Sequence, residues 1–162
     1  MSQPKAGDKA PDFKLPDAQG QTLALKDLLK KGRVVVYFYP KDDTPGCTVQ
    51  ACGFRDGWAA LRKTGATVVG ISPDGRASHA KFAGKYDLPF TLLSDEDKET
   101  CKAYGVWVKK SMYGREYMGV ARTTFIVGQD GRIETVFEKV KPEGHTAEVM
   151  AALSGKQVAA KK

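Results

Sequence analysis

The sequence predicts an α/β fold with a central mixed β-sheet flanked by helices. Three observations predict it. Short continuous runs of β-branched and aromatic residues, "VVVYFY" (Val34 to Tyr39), "ATVVGIS" (Ala66 to Ser72) and "FTLLSD" (Phe90 to Asp95), have the character of strands buried on both faces. Segments with apolar residues at near-helical spacing lie between them. Near the C-terminal end, "TTFIVGQDGRIETVFE" reads as a hairpin turning at "GQDG".

Each element has its own local reason. "FKLPDAQGQTLAL" (Phe13 to Leu25) alternates around a Gly-containing turn and predicts an N-terminal hairpin. "LKDLLKKG" predicts a short helix stopped by Gly32. From Thr44 to Thr64, Val49, Ala51, Phe54, Trp58, Ala59 and Leu61 recur at near-helical spacing. One helix is expected there, ending at Gly65. "SHAKFAGKYD" predicts a helix with Ser78 at its N-cap, and Asp95 is placed to cap "EDKETCKAYG". "HTAEVMAALSG" (His145 to Gly155) is an amphipathic closing helix. A thioredoxin-like architecture has this order of elements, and so do flavodoxin-like folds; the pattern alone does not separate them.

The 162 residues suit one domain over 1–162. Its core is expected over about 6–153, with 154–162 as a flexible basic tail. Hydrophobic residues at 41% and charged residues at 28% exclude a disordered chain. No apolar run is long enough to cross a membrane. The opening "MSQPKAGDKAPDF" has no apolar signal region, so a cytoplasmic protein without membrane partners is expected. The formal net charge of +7 comes partly from "LLKKGR" and "GKQVAAKK". The remaining basic residues are scattered among Asp and Glu, which points to a solvated surface and no nucleic-acid partner.

Three cysteines, an odd number, do not form a disulfide framework. In a reducing compartment a close pair of cysteines points to catalysis or redox sensing. Two of them lie in "YPKDDTPGCTVQAC" (Tyr39 to Cys52). Cys47 follows a strand, a Pro-Gly turn and a helix start. A helix N-terminus offers unpaired N–H groups and partial positive charge, which favour a thiolate. Thr44 is close enough for its hydroxyl to reach that sulfur or a substrate oxygen. The structural reading, in which Thr44 caps the helix and Cys47 packs in the core, stays open at this point.

Cys52 is five residues further on. On an intact helix the two cysteines lie about 7.5 Å apart along the axis and point to different sides. A disulfide needs Cα atoms within about 7 Å. The pair therefore never closes, or the first helical turns unwind. A sulfenic acid on Cys47 would create a demand for a nearby thiol. Gly46 and Gly53 lower the cost of such a change. C-x₄-C is not zinc spacing, and His79 and His145 are far away in sequence, so no metal is expected.

Pro40, Thr44 and Cys47 make the pattern P-x-x-x-T-x-x-C, and the chain here resembles the peroxiredoxins. "TPGCTVQAC" is similar to the subgroup of bacterioferritin comigratory proteins, or peroxiredoxin Q. "GVARTTFIV" (Gly119 to Val127) carries an Arg before a Thr-Phe strand as that family does, and "GDKAPDFKLPDAQG" resembles its opening. The likeness runs from about Ala6 to Leu153. It implies a thioredoxin-like fold and a thiol peroxidase. Cys47 would be the peroxidatic cysteine, with Arg122 holding its thiolate and polarising the peroxide. Thr44 and the Cys47 N–H would bind peroxide oxygens, and Pro40 would shield the sulfur. Cys52 matches the position of a resolving cysteine, which implies a Cys47–Cys52 disulfide reduced by thioredoxin or a similar dithiol protein. No cofactor is needed, and a monomer is expected.

Two residues depart from the pattern. Gln50 stands where the subgroup commonly has Glu, and Cys101 matches no family role; it is expected as a half-buried packing residue. Competing readings are a thioredoxin-like disulfide oxidoreductase without peroxidase action, a basic binding module, and a structural domain with inert cysteines. The first would usually show C-x-x-C. Trp107, Met112, Tyr113, Tyr117 and Met118 are expected either as an apolar rim of the site's mouth or as loop core.

Overall fold

The computed structural model describes residues 3–154, so the expected basic tail lies outside them apart from Ser154. In chain order the elements are β1 (Lys14–Pro16), β2 (Thr22–Ala24), α1 (Leu25–Leu29), β3 (Val34–Phe38), α2 (Pro45–Asp56) and α3 (Trp58–Lys63). There follow β4 (Thr67–Ser72), α4 (Arg76–Tyr86), β5 (Thr91–Ser94), α5 (Glu99–Ala103), β6 (Trp107–Met112) and β7 (Arg115–Val120). The chain then runs through β8 (Thr123–Val127) and β9 (Ile133–Phe137) to α6 (His145–Ser154).

Five strands form one mixed sheet in the order β5-β4-β3-β8-β9. β3 pairs parallel with β4 and antiparallel with β8. Every residue of β3 is buried, because successive side chains enter opposite cores. Val34, Val36 and Phe38 join Leu25, Leu29, Cys101 and Tyr104 on one face. Val35, Tyr37 and Tyr39 join Cys47, Phe54, Leu61, Phe82, Val149 and Leu153 on the other. The β1–β2 hairpin ties itself to an edge of the sheet by the bridge Asp17 to Leu93. The chain just before it bridges from Lys9 to Arg132, at the turn that leads into the other edge strand.

The single helix expected over 44–64 is two helices, α2 and α3, separated at Gly57. The physical reason is α6. A Cβ at Gly53 would lie 2.6 Å from Thr146 Oγ1, and one at Gly57 would lie 3.1 Å from Thr146 Cγ2. Two glycines one turn apart let α6 approach α2 closely, and the helix breaks at the second. Ser78 is not an N-cap: Gly75 holds that position, and the Ser78 hydroxyl donates to Asp42 Oδ2 at 2.7 Å. Asp95 is not the N-cap residue of α5, a position held by Lys98, but its carboxylate does accept from the N–H groups of Thr100 and Cys101. Cys101 is fully buried rather than half-buried. Burial, and next the charge of Asp95, push its thiol well above the ordinary value, as befits an unreactive core cysteine.

Residues 107–120 form a second, separate hairpin, β6–β7, turning at Tyr113 and Gly114. Met112, Tyr113, Tyr117 and Met118 are exposed and are not loop core, whereas Trp107 is half-buried and packs against the core.

His145, at the start of α6, is buried between Thr124 Oγ1 at 2.8 Å and Glu148 Oε1 at 3.0 Å. Burial depresses its pKa, against the opposing hydrogen bond to the Glu148 carboxylate. A histidine depressed in the folded state takes up its proton more readily unfolded. Its contribution to stability is therefore present above the ordinary histidine value and lost as pH falls below it. We expect the melting temperature to fall between pH 7 and pH 5, and the His145→Asn variant to show a shallower fall over the same range.

Candidate active site

The loop from Tyr39 to Thr44 carries the chain from the centre of the sheet to the head of α2. Thr44 occupies the N-cap position with extended backbone, and Pro45 opens the helix, where its missing N–H costs nothing. The first N–H to close a helical bond is that of Thr48, onto Thr44 O at 2.8 Å. Those of Gly46 and Cys47 have no intrahelical acceptor. The Thr44 hydroxyl donates to Lys41 O at 3.0 Å and does not cap the helix. No acidic side chain stands in the first turn of α2. Cys47 lies in that turn, 1% exposed, against a helix terminus of unmatched N–H groups and no competing anion.

Arg122 comes from the short link between β7 and β8. Its Nη1 donates to Gln50 Oε1 at 2.8 Å, and Gln50 lies three residues after Cys47 on the same side of α2. The guanidinium also packs on Gly46, where a Cβ would stand 3.0 Å from Arg122 Nη2. Glycine beside the cysteine is thus what lets the cation reach the head of the helix. The structure brings Thr44, Cys47 and Arg122 to one place. Pro40 stands half-buried at the start of the same loop.

Three further residues belong to this setting and were not singled out from the sequence as site residues. Gln50 is buried, and its Nε2 has no partner within the protein. Tyr37 lies under α2 with an equally unpartnered hydroxyl. Burial, and next the charge of Cys47, raise that phenol well above its ordinary value. Lys110, half-buried in the β6–β7 hairpin, is lowered by burial and then by Arg122, while Cys47 opposes the shift. Lys110 is therefore a second cation within electrostatic range of the sulfur. In the sequence Tyr37 looks like any strand residue, and Lys110 like any surface lysine.

Cys52 lies on α2 together with Cys47, half-buried, and both thiols are free. They share an intact helix, so no disulfide forms in this conformation. Among the described residues no group of three His, Cys, Asp or Glu side chains clusters as a metal site, and no helix is long and apolar enough to cross a membrane.

A buried cysteine at a helix head, set on a mixed five-stranded sheet with an arginine packed on the adjacent glycine, defines a thiol-based redox protein. Comparison with known proteins makes this specific. The model of the AhpC/TSA family matches residues 6–136. A putative peroxiredoxin bcp of Coxiella burnetii is 53% identical, covering 92% of this chain and 98% of its own. The structure is similar to that of Xylella fastidiosa PrxQ, with TM-score 0.90 and 33% identity over 97% of this chain and 99% of that one. It is also similar to a Xanthomonas campestris bacterioferritin comigratory protein studied for alkyl peroxide reduction, with TM-score 0.86 and 35% identity over 95% and 99%. The chain belongs to the AhpC/TSA family, in its Bcp group of peroxiredoxins. It has the thioredoxin-like fold of that group and is a thiol peroxidase, an enzyme that reduces peroxides with electrons from a thiol reductant.

Proposed function

We propose that Cys47 is the peroxidatic residue and Cys52 the resolving one. The observation that carries this reading is the position of Cys47 in the uncapped first turn of α2 with Arg122 packed on the adjacent Gly46. The N–H groups of that turn and the guanidinium favour negative charge on the sulfur. The thiolate attacks the terminal oxygen of a hydroperoxide. An S–O bond forms as the O–O bond breaks, and the departing oxygen leaves as water or an alcohol after taking up a proton. Arg122 stabilises the charge that moves onto the departing oxygen, and the Thr44 hydroxyl and the Cys47 N–H hold the peroxide. Pro40 limits access of water.

The product is a sulfenic acid. The Cys52 thiolate then attacks its sulfur, forming the disulfide and releasing the oxygen as water. Both cysteines lie on α2, so its first turns unwind for this step. The resulting disulfide is reduced by thioredoxin or a similar dithiol protein. Hydrogen peroxide and alkyl hydroperoxides are the substrates of this reading, the latter supported by the activity named for the Xanthomonas relative. We read the chain as one domain, monomeric and cytoplasmic, with two cores about a single sheet in support of the first.

The test is the reduced protein treated with one equivalent of hydrogen peroxide, followed by intact mass and a non-reducing peptide map. Loss of two hydrogens with Cys47 joined to Cys52 is expected. Cys47 left singly oxidised, or joined to Cys101, would replace the resolving role of Cys52. No thiol reacting faster than free cysteine would overturn the assignment of Cys47.

A further inference from the structure

The loop that delivers Cys47 is fastened to α4 by two adjacent aspartates. Asp42 is buried, and its carboxylate accepts from Tyr39 OH at 2.5 Å, from Ser78 Oγ at 2.7 Å and from His79 Nδ1 at 2.7 Å. The other ring nitrogen of His79, which is fully buried, lies 3.0 Å from Leu93 O. The ring of His79 is thus held between a carboxylate on one side and a carbonyl on the other. Burial raises the Asp42 carboxyl, but the hydrogen bonds from His79, Tyr39 and Ser78 outweigh it and hold the group below its ordinary value. The Asp42 N–H donates to Asp74 Oδ2 at 2.6 Å, adding a tie to the end of β4. One residue on, Asp43 has a left-handed backbone, and its exposed carboxylate accepts from Lys85 Nζ at 2.9 Å and Tyr86 OH at 2.8 Å. The two aspartates thus grip both ends of α4.

Immediately after this anchor the chain is weak. Thr44 gives α2 no side-chain cap, the first turn holds no acidic residue, and Gly46 lies inside it. Each of these lowers the stability of a helix start. A strong anchor ending at Asp43 stands against a helical turn with little holding it.

We propose that the buried Asp42–His79 pair, seconded by Asp43 with Lys85 and Tyr86, is a latch that positions the active-site loop and confines local opening to the first turns of α2. This rests on the assignment of Cys47 and Cys52 made above. The latch sets how often Cys47 leaves its pocket, and so how its sulfenic acid divides between two fates. Capture by Cys52 forms the disulfide and releases water. Attack on a second hydroperoxide molecule transfers one more oxygen to the sulfur, giving a sulfinic acid and releasing water or alcohol. His79 and Asp42 are positioning residues here, since neither touches the sulfur.

The test is the rate at which N-ethylmaleimide alkylates each cysteine of the reduced protein, followed residue by residue by mass. Cys101, in the opposite core, reports global unfolding within the same sample. In His79→Gln we expect alkylation of Cys47 to rise about tenfold with Cys101 unchanged, the signature of local rather than global opening. Asp43→Asn, which unpairs no buried charge, is expected to raise it about two- to threefold. It decides the matter if His79→Gln does not fold. Equal acceleration of Cys47 and Cys101, or an unchanged Cys47 rate, overturns the latch. No peroxide enters this measurement, so it separates failure of the latch from failure of the peroxidase assignment. With peroxide added, the variants are expected to yield less sulfinic acid per turnover than the parent, and an equal or greater yield overturns the partitioning role.

Discussion

Cys47→Ser is expected to remove the fast reaction with peroxide, lowering its second-order rate constant by at least about 10³-fold, while the protein stays folded. Cys47 is 1% exposed in a core with Tyr37, Tyr39, Ala51 and Phe54. Serine is smaller, so it fits the same pocket. What it cannot do is act as a thiolate nucleophile or accept oxygen as sulfur does. The unmatched N–H groups of α2 would face a neutral hydroxyl. Stopped-flow mixing with hydrogen peroxide, alongside the thermal transition of the same sample, checks both halves of the expectation. A folded variant that kept rapid peroxide consumption would move the reactive centre to another cysteine, and burial of Cys101 leaves only Cys52 to take that role.

Arg122→Met is expected to lower kcat/KM for peroxide about 10²-fold, the usual scale for removing one donor aimed at developing charge in a dry site. Two effects act together. The guanidinium proposed to face the departing oxygen is gone. Gln50, buried and already lacking a partner for Nε2, also loses its bond through Oε1 and is free to turn. Arg122→Lys is expected to recover part of the loss, because an ammonium restores the charge but not the planar fork that binds Gln50 while packing on Gly46. Steady-state kinetics of the two variants at several peroxide concentrations distinguish these contributions. If methionine and lysine were equally poor, the geometry of the guanidinium would outweigh its charge.

The elements written in short-range pattern are read correctly from the chain. β3, β4, β5 and the β8–β9 hairpin follow from runs whose composition leaves few alternatives. The N-terminal hairpin follows from alternation about a turn. Two of the exceptions have one cause, a neighbour distant in sequence. Gly57 ends α2 because α6 approaches through Thr146. Ser78 serves Asp42, 36 residues away, in place of the helix it was expected to cap. β6 and β7 were obscured because their exposed Met and Tyr residues resemble a buried loop.

The same division runs through the site. Pro40, Thr44, Cys47 and Cys52 stand within 13 residues, and their relation to a helix start is a matter of local geometry. The sequence by itself therefore determined that a cysteine would sit at a helix head and that a second would follow on the same helix. Only the tertiary structure decided what surrounds them. It brought Arg122 against Gly46, Tyr37 beneath the helix, and His79 onto Asp42. Local backbone preference acts over a few residues and can be read in order along the chain. Charge pairing and close packing act through space, so they come into being only when the sheet has set those residues side by side.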